Sequence, residues 1–255
     1  MIAALPMYAR PENRAAHDGF WADVRDGLRS RGIDAPEALD HDIDHFDSWG
    51  RPDLCLGQIC NLPYRAHFKD RVTLIGASDY GLEGCEAGQY RSVVVVRKDD
   101  PATAVGDCDG YRLAYNDAGS QSGWAAAWVM SRAAGIGFAR GPLTHGHRLS
   151  LAAVATGGAD IAFIDAQTYR IALTHGTDAT DQLKVIGYSH RSPAMSFITR
   201  KGQNPAPYFA AIQEAIAAMP EPSRATLGLC GIVALPLSAY AEPLPPRPED
   251  LPNWS

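Results

Sequence analysis

The sequence predicts an α/β protein of two lobes, one inserted into the other, and three observations carry this. Short apolar, β-branched runs alternate with helical patterns along the chain, the rhythm of a layered α/β fold. That rhythm changes after the breaker Asp99-Asp100-Pro101. The 255 residues, with 46% hydrophobic and 20% charged side chains, suffice for two small lobes with real cores. The first lobe is expected to be discontinuous, residues 1–92 and 192–255, with residues 93–191 as the inserted second lobe. Two crossings, near Tyr90–Val96 and Ile186–Pro193, would form the hinge.

Taken in order, Ile2–Leu5 reads as the opening strand, ending at Pro6-Met7-Tyr8. A helix follows from Pro11 to Arg31, because Phe20, Trp21, Val24 and Leu28 recur on one face and Gly32 supplies a stop. Leu54-Cys55-Leu56 is a strand that runs into the turn Gly57–Tyr64. Val72–Ala77 and Ser92–Val96 are rich in β-branched residues and read as strands. Beyond the breaker come a strand at Tyr111–Tyr115, a polar loop at Asn116–Gly123 and an alanine-rich helix at Trp124–Ala134. Helices are expected at Leu149–Thr156 and Ala166–Leu173, on either side of a buried strand at Ile161–Ile164. Leu183–Tyr188 and Ala194–Ile198 read as strands returning to the first lobe. A helix at Ala206–Ala218 and a shorter one near Arg224–Leu229 follow. Pro243, Pro245, Pro246, Pro248 and Pro252 make the tail after Glu242 extended.

Bulk properties exclude some roles. A formal charge of −6 argues against a nucleic-acid or anionic-membrane surface. No run approaches the roughly 20 apolar residues that span a bilayer, so no membrane insertion is expected. The opening MIAALPMYARPENR is too short in its apolar part, and too broken by proline, to act as a secretory signal. The chain as it stands is therefore expected in the cytoplasm, or in the periplasm if a leader has been trimmed away. The cysteines, Cys55, Cys60, Cys85, Cys108 and Cys230, are odd in number and irregular in spacing, which suits buried thiols rather than a disulfide framework.

The most informative segment is Tyr115–Gly123, where a strand runs into small polar residues and a helix begins at once. The first N–H groups of a helix lack internal partners and lie at the positive end of its dipole. Ser120 and Ser122 add hydroxyls, and Gly119 and Gly123 allow close approach to the backbone, which makes an anion cradle without lysine. The same serines read equally well as a helix N-cap. In Thr144-His145-Gly146-His147-Arg148-Leu149-Ser150, the histidines suit a loop hydrogen bond, an anion donor or a metal. No acidic neighbour completes a metal set, so neither metal nor cofactor is expected. Asp165 ends an apolar strand, where it either faces a ligand or caps the next helix. Gln121 interrupts the G-x-S-x-G pattern of a nucleophile elbow, and no phosphate-binding loop or dinucleotide fingerprint occurs. A non-enzymatic role is the expectation.

These segments resemble, in order, the motifs of the phosphate, phosphite and phosphonate-type substrate-binding proteins of ABC transporters. NDAGSQSG is similar to that family's ND-x-x-S-x-SG loop, and THGHRLSLAAVATGGADIAFID to its T-G-x-H-x-x-S … V-x-x-G-x-A-D-x-A-x-x-D stretch. LGQICNLPY is similar to its Q-x-C-G-x-P-Y turn, and LPMY to the end of its first strand. Asn61 and His145 stand where the family usually has Gly, and Gln121 where it usually has Thr. The resemblance implies a type II periplasmic-binding-protein fold with a ligand cleft between lobes that close on a small anion. It implies Ser120, Gln121, Ser122 and Gly123 at the anion, His147 donating to it and Asp165 on the cleft wall, with Tyr8, Tyr64 and Tyr90 lining the first-lobe side. The implied partners are a small anion and an ABC permease or a sensor protein. A rival on the same fold is an enzyme similar to thiamine-pyrimidine synthases, whose cysteine-rich cluster this chain lacks.

Overall fold

A computed structural model describes residues 1–176 and 179–251; Pro252 of the expected tail lies outside them. The chain divides into two compact units, one of residues 1–89 and 192–241, the other of residues 90–191 and 242–255. It passes from one to the other at 89/90, 191/192 and 241/242, one crossing more than the sequence leads one to expect. The tail from Glu242 belongs with the inserted unit rather than the terminal one, and Tyr90 opens the inserted unit.

The terminal unit is a five-stranded sheet in the spatial order Ile2–Ala4, Leu54–Ile59, Ser196–Arg200, Val72–Asp79, Gly231–Val233. Ile2–Ala4 and Leu54–Ile59 are parallel, and Ser196–Arg200 runs antiparallel between Leu54–Ile59 and Val72–Asp79. Every residue of Leu54–Ile59 is buried, as expected of a strand covered on both faces. The helix Arg14–Ser30 buries Phe20, Trp21, Val24 and Leu28, the stripe its spacing predicts. It packs on the helix Pro205–Ala218, and Gly27 is what lets it come close, since a Cβ there would meet the Ala211 Cβ at 3.2 Å. Asn204 caps that partner helix by accepting from the Ala206 N–H at 3.1 Å, with Pro205 at the first helical position.

The inserted unit carries a second five-stranded sheet, in the order Ala139–Leu143, Arg112–Tyr115, Ile161–Asp165, Ser92–Arg97, Leu183–Tyr188. The first three are parallel, and Ser92–Arg97 is antiparallel to both of its neighbours. The run Val93–Val96 supplies both faces of this sheet. Val94 and Val96 pack with Trp124, Phe138 and Phe163, while Val93 and Val95 pack with Leu151, Ile164 and Ala172. That is the period-two alternation of a strand, here apolar on both sides. Leu183–Tyr188 therefore stays in this unit; hydrogen bonding to Ser92–Arg97 holds it there, against the expectation that it returns to the first lobe. Ala139–Leu143, with Gly141 and Pro142 and little burial, escaped the sequence reading because it lacks a β-branched pattern.

Candidate functional site

Three parallel strands of the inserted sheet end on one edge, and each delivers a segment singled out in the sequence. Tyr115 leads to Asn116–Gly123, Leu143 to Thr144–His147, and Ile164 to Asp165. Carboxyl ends of parallel strands are where open α/β sheets present binding groups.

Helical structure begins at Gln121, with a wide turn Gln121–Ala125 that leads into the α-helix Ala126–Ala134. It therefore starts ahead of Trp124, where the sequence places it. Ser120 is the cap. Its backbone is extended, its Oγ accepts from the Gly123 N–H at 3.0 Å, and its carbonyl takes the N–H groups of Trp124 and Ala125. The N-cap reading holds for Ser120, while Ser122 makes a different contact. Ser122 Oγ lies 2.8 Å from His147 Nε2 and 3.5 Å from Ser120 Oγ. The Ser122 carbonyl accepts from Ser92 Oγ at 2.8 Å. Ser120, Gln121, Ser122 and Gly123 are all buried. Gly123 has to be glycine, since a Cβ there would overlap Asn116 Oδ1. That oxygen is itself buried, without a hydrogen-bond partner among the described residues.

His147 opens the helix His147–Ala155, following a turn in which His145 adopts a left-handed φ of 61°. Thr144 fixes this turn, with Oγ1 2.7 Å from Ser150 Oγ and 3.2 Å from the Tyr115 and Gly146 carbonyls. Part of His147 reaches the surface, yet its Nδ1 is buried with no hydrogen-bond partner. Desolvation pulls the imidazole pKa down to about 4, so at neutral pH the ring is uncharged. A serine hydrogen-bonded to a histidine invites comparison with a nucleophile and its base. Such pairs orient the base through a third group on the far nitrogen; among the described residues that nitrogen has no hydrogen-bond partner.

The other expected residues fall elsewhere. Gln121 Nε2 donates to Glu242 Oε2 at 2.9 Å, so one of its amide donors is engaged by the tail. Asp165 caps the helix Ala166–His175, its Oδ1 accepting from the Thr168 N–H at 3.0 Å. Tyr90 is buried in the inserted unit. Tyr8 and Tyr64 lie at the carboxyl ends of strands in the terminal unit. Tyr8 meets Tyr80 edge-on at 5.1 Å, and Tyr64 meets Tyr240 at 5.4 Å. Burial raises the pKa of both Tyr64 and Tyr240. Gln58 holds Ser78 Oγ at 3.2 Å and Tyr80 OH at 3.3 Å, a structural use of the Gly57–Tyr64 turn.

Ser92, Asn116, Thr144 and Glu242 were not singled out from sequence. Asn116 and Thr144 sit inside the quoted motifs, but nothing in sequence spacing could have brought Ser92 or Glu242 to the helix start. Among the described residues no three His, Cys, Asp or Glu side chains are grouped as a metal site requires, and no helix is long and apolar enough to cross a membrane.

Among solved structures, PhnD1 from Prochlorococcus marinus in complex with methylphosphonate is similar over 94% of both chains, at 13% identity and TM-score 0.69. A binding protein component of an ABC phosphonate transporter from Pseudomonas aeruginosa matches 92% of this chain and 81% of its own, at 17% identity and TM-score 0.63. MatC from Rhodopseudomonas palustris with bound malate matches over 91% and 89%, at 15% identity and TM-score 0.61. These likenesses establish the two-lobed periplasmic-binding-protein fold. No curated protein matches the chain. The family described as "ABC transporter, phosphonate, periplasmic substrate-binding protein" matches residues 56–234, well over half of the chain and across both units. The protein belongs to that family of solute-binding proteins.

Proposed function

We propose that this protein captures a small oxyanion at the helix start Ser120–Gly123, with Ser122 and His147 as its side-chain contacts, and passes it to an ABC-type permease. The observation that carries the reading is the 2.8 Å contact between Ser122 Oγ and His147 Nε2 at a capped helix N-terminus. First-turn N–H groups and neutral side-chain donors bind an oxyanion without a counter-charge. Binding, not catalysis, is favoured by His147 Nδ1, which among the described residues has no hydrogen-bond partner to orient it as a base. Phosphonates come first as ligands, because the family and PhnD1 point there; a carboxylate such as malate is the alternative class, on the likeness to MatC.

The test is calorimetric titration with methylphosphonate, phosphate, phosphite, methanesulfonate and malate, on the wild type and on Ser122→Ala and His147→Ala. A hydrogen bond to a charged group contributes about 1.5–3 kcal/mol. Each substitution is expected to weaken the preferred anion about 10- to 100-fold while circular dichroism stays that of the folded protein. Unchanged affinity in both variants would overturn the site assignment. Binding of none of the anions by the wild type would overturn the ligand class.

A further inference from the structure

The start of the helix at Gln121 is tied directly to the first and third segments where the chain crosses between its units, and to the second through Ser92 and Glu242. Ser92, two residues past the first crossing, donates through Oγ to the Ser122 carbonyl at 2.8 Å. Ser189, shortly before the second, bonds twice to Ser92: its Oγ accepts from the Ser92 N–H, and its own N–H donates to the Ser92 carbonyl, each at 2.9 Å. Glu242, the first residue past the third crossing, accepts from Gln121 Nε2 at 2.9 Å and lies 3.6 Å from His190 Nε2. The same helix holds the tail a second time, through Trp124 Nε1, which donates to the Pro246 carbonyl at 2.8 Å. Gln121 and Trp124 are three residues apart, on one side of the helix start, and both are almost fully buried.

From this juxtaposition we infer that Glu242 is a positioning residue for anion capture: it fixes Gln121, and with it the first turn of the helix, and links the third crossing to that turn. A side chain acting this way touches no ligand. Its effect is to hold the first-turn N–H groups in their binding arrangement before the anion arrives, so that less ordering is needed on binding. The acceptor oxygen is what the contact uses, so glutamine at this position retains the function and alanine loses it. The inference about affinity rests on the proposed capture at Ser120–Gly123; the inference about positioning does not.

The experiment compares wild type, Glu242→Ala and Glu242→Gln in full-length protein, with methylphosphonate as the probe. Amide hydrogen exchange over residues 119–125 is read first, without ligand. Exchange there is expected to be faster in Glu242→Ala and restored by Glu242→Gln, with exchange over the strand Ile161–Asp165 unchanged as an internal control. The dissociation constant is then expected to rise about 3- to 10-fold in Glu242→Ala and to return to near wild type in Glu242→Gln. Equal exchange over 119–125 in wild type and Glu242→Ala would overturn the positioning role, as would failure of Glu242→Gln to restore it. A wild type that binds no methylphosphonate while the exchange pattern holds would overturn the ligand reading and leave positioning supported.

Discussion

In the proposed capture, His147 sets how affinity responds to pH. Its pKa is lowered from an ordinary 6.5 to about 4 by desolvation. A bound anion favours the imidazolium, so the complex has the higher pKa and holds more protons than the free protein between the two values. In the proposed capture, affinity then rises as pH falls below the pKa of the complex toward 4. Methanesulfonate is the probe, because its charge does not change over this range. Its affinity is expected to tighten between pH 7 and pH 5 in the wild type and to stay flat in His147→Gln. Gly123 makes a steric prediction at the same scale. Gly123→Ala drives a methyl into Asn116 Oδ1 in a buried turn, and overpacking of this kind costs about 1–3 kcal/mol. A denaturant midpoint lowered accordingly, together with lost anion binding, is the expected outcome. His145 sits at a left-handed φ of 61°, in the position where the quoted motif usually carries Gly. The motif thus anticipates a backbone shape that this chain reaches with a less suited residue.

At the scale of elements, strand content was legible wherever a run was apolar and β-branched, because both sheets bury their central strands on two faces. Ser92–Arg97 is of this kind, and Leu54–Ile59 is apolar at its start without being β-branched. Two of the edge strands were not legible: Ala139–Leu143 and Gly231–Val233 are short, carry glycine, and take their form from the neighbour they pair with. The candidate site was half legible. Its loop and histidine stand in recognisable local motifs, while Ser92 and Glu242 arrive from other parts of the chain through sheet pairing and the third crossing. One ion pair also links elements. Asp160, just before the strand Ile161–Asp165, takes the Arg112 guanidinium at 2.9 Å through both oxygens and the Arg112 N–H at 3.0 Å. Those contacts hold its pKa below the usual 3.8. A carboxylate depressed in this way stabilises the fold fully above its unfolded pKa, and the contribution is lost as pH falls through the folded value. Asp160→Asn is therefore expected to lower the thermal midpoint at pH 7 and to lose less than the wild type between pH 4 and pH 2.

For the whole molecule, capture by lobe closure is what the family resemblance implies, and it belongs to the proposal. It has a calorimetric consequence. A ligand adds stability only to the cooperative unit whose folded form it contacts, by about 2.7 kcal/mol when present at 100 times its dissociation constant. For domains of this size that is an upward shift of roughly 10 °C. An anion held by the inserted unit alone would raise one transition and leave the terminal unit, residues 1–89 and 192–241, melting where it did before. An anion on which both lobes close would raise both, or merge them into one. Differential scanning calorimetry with saturating methylphosphonate is expected to show the second pattern in the wild type and no shift in Ser122→Ala. A single moved transition, with the other fixed, would keep the cradle and remove closure. Fluorescent labels on one exposed residue of each unit, read for a ligand-dependent change in energy transfer, would decide that case without reference to stability.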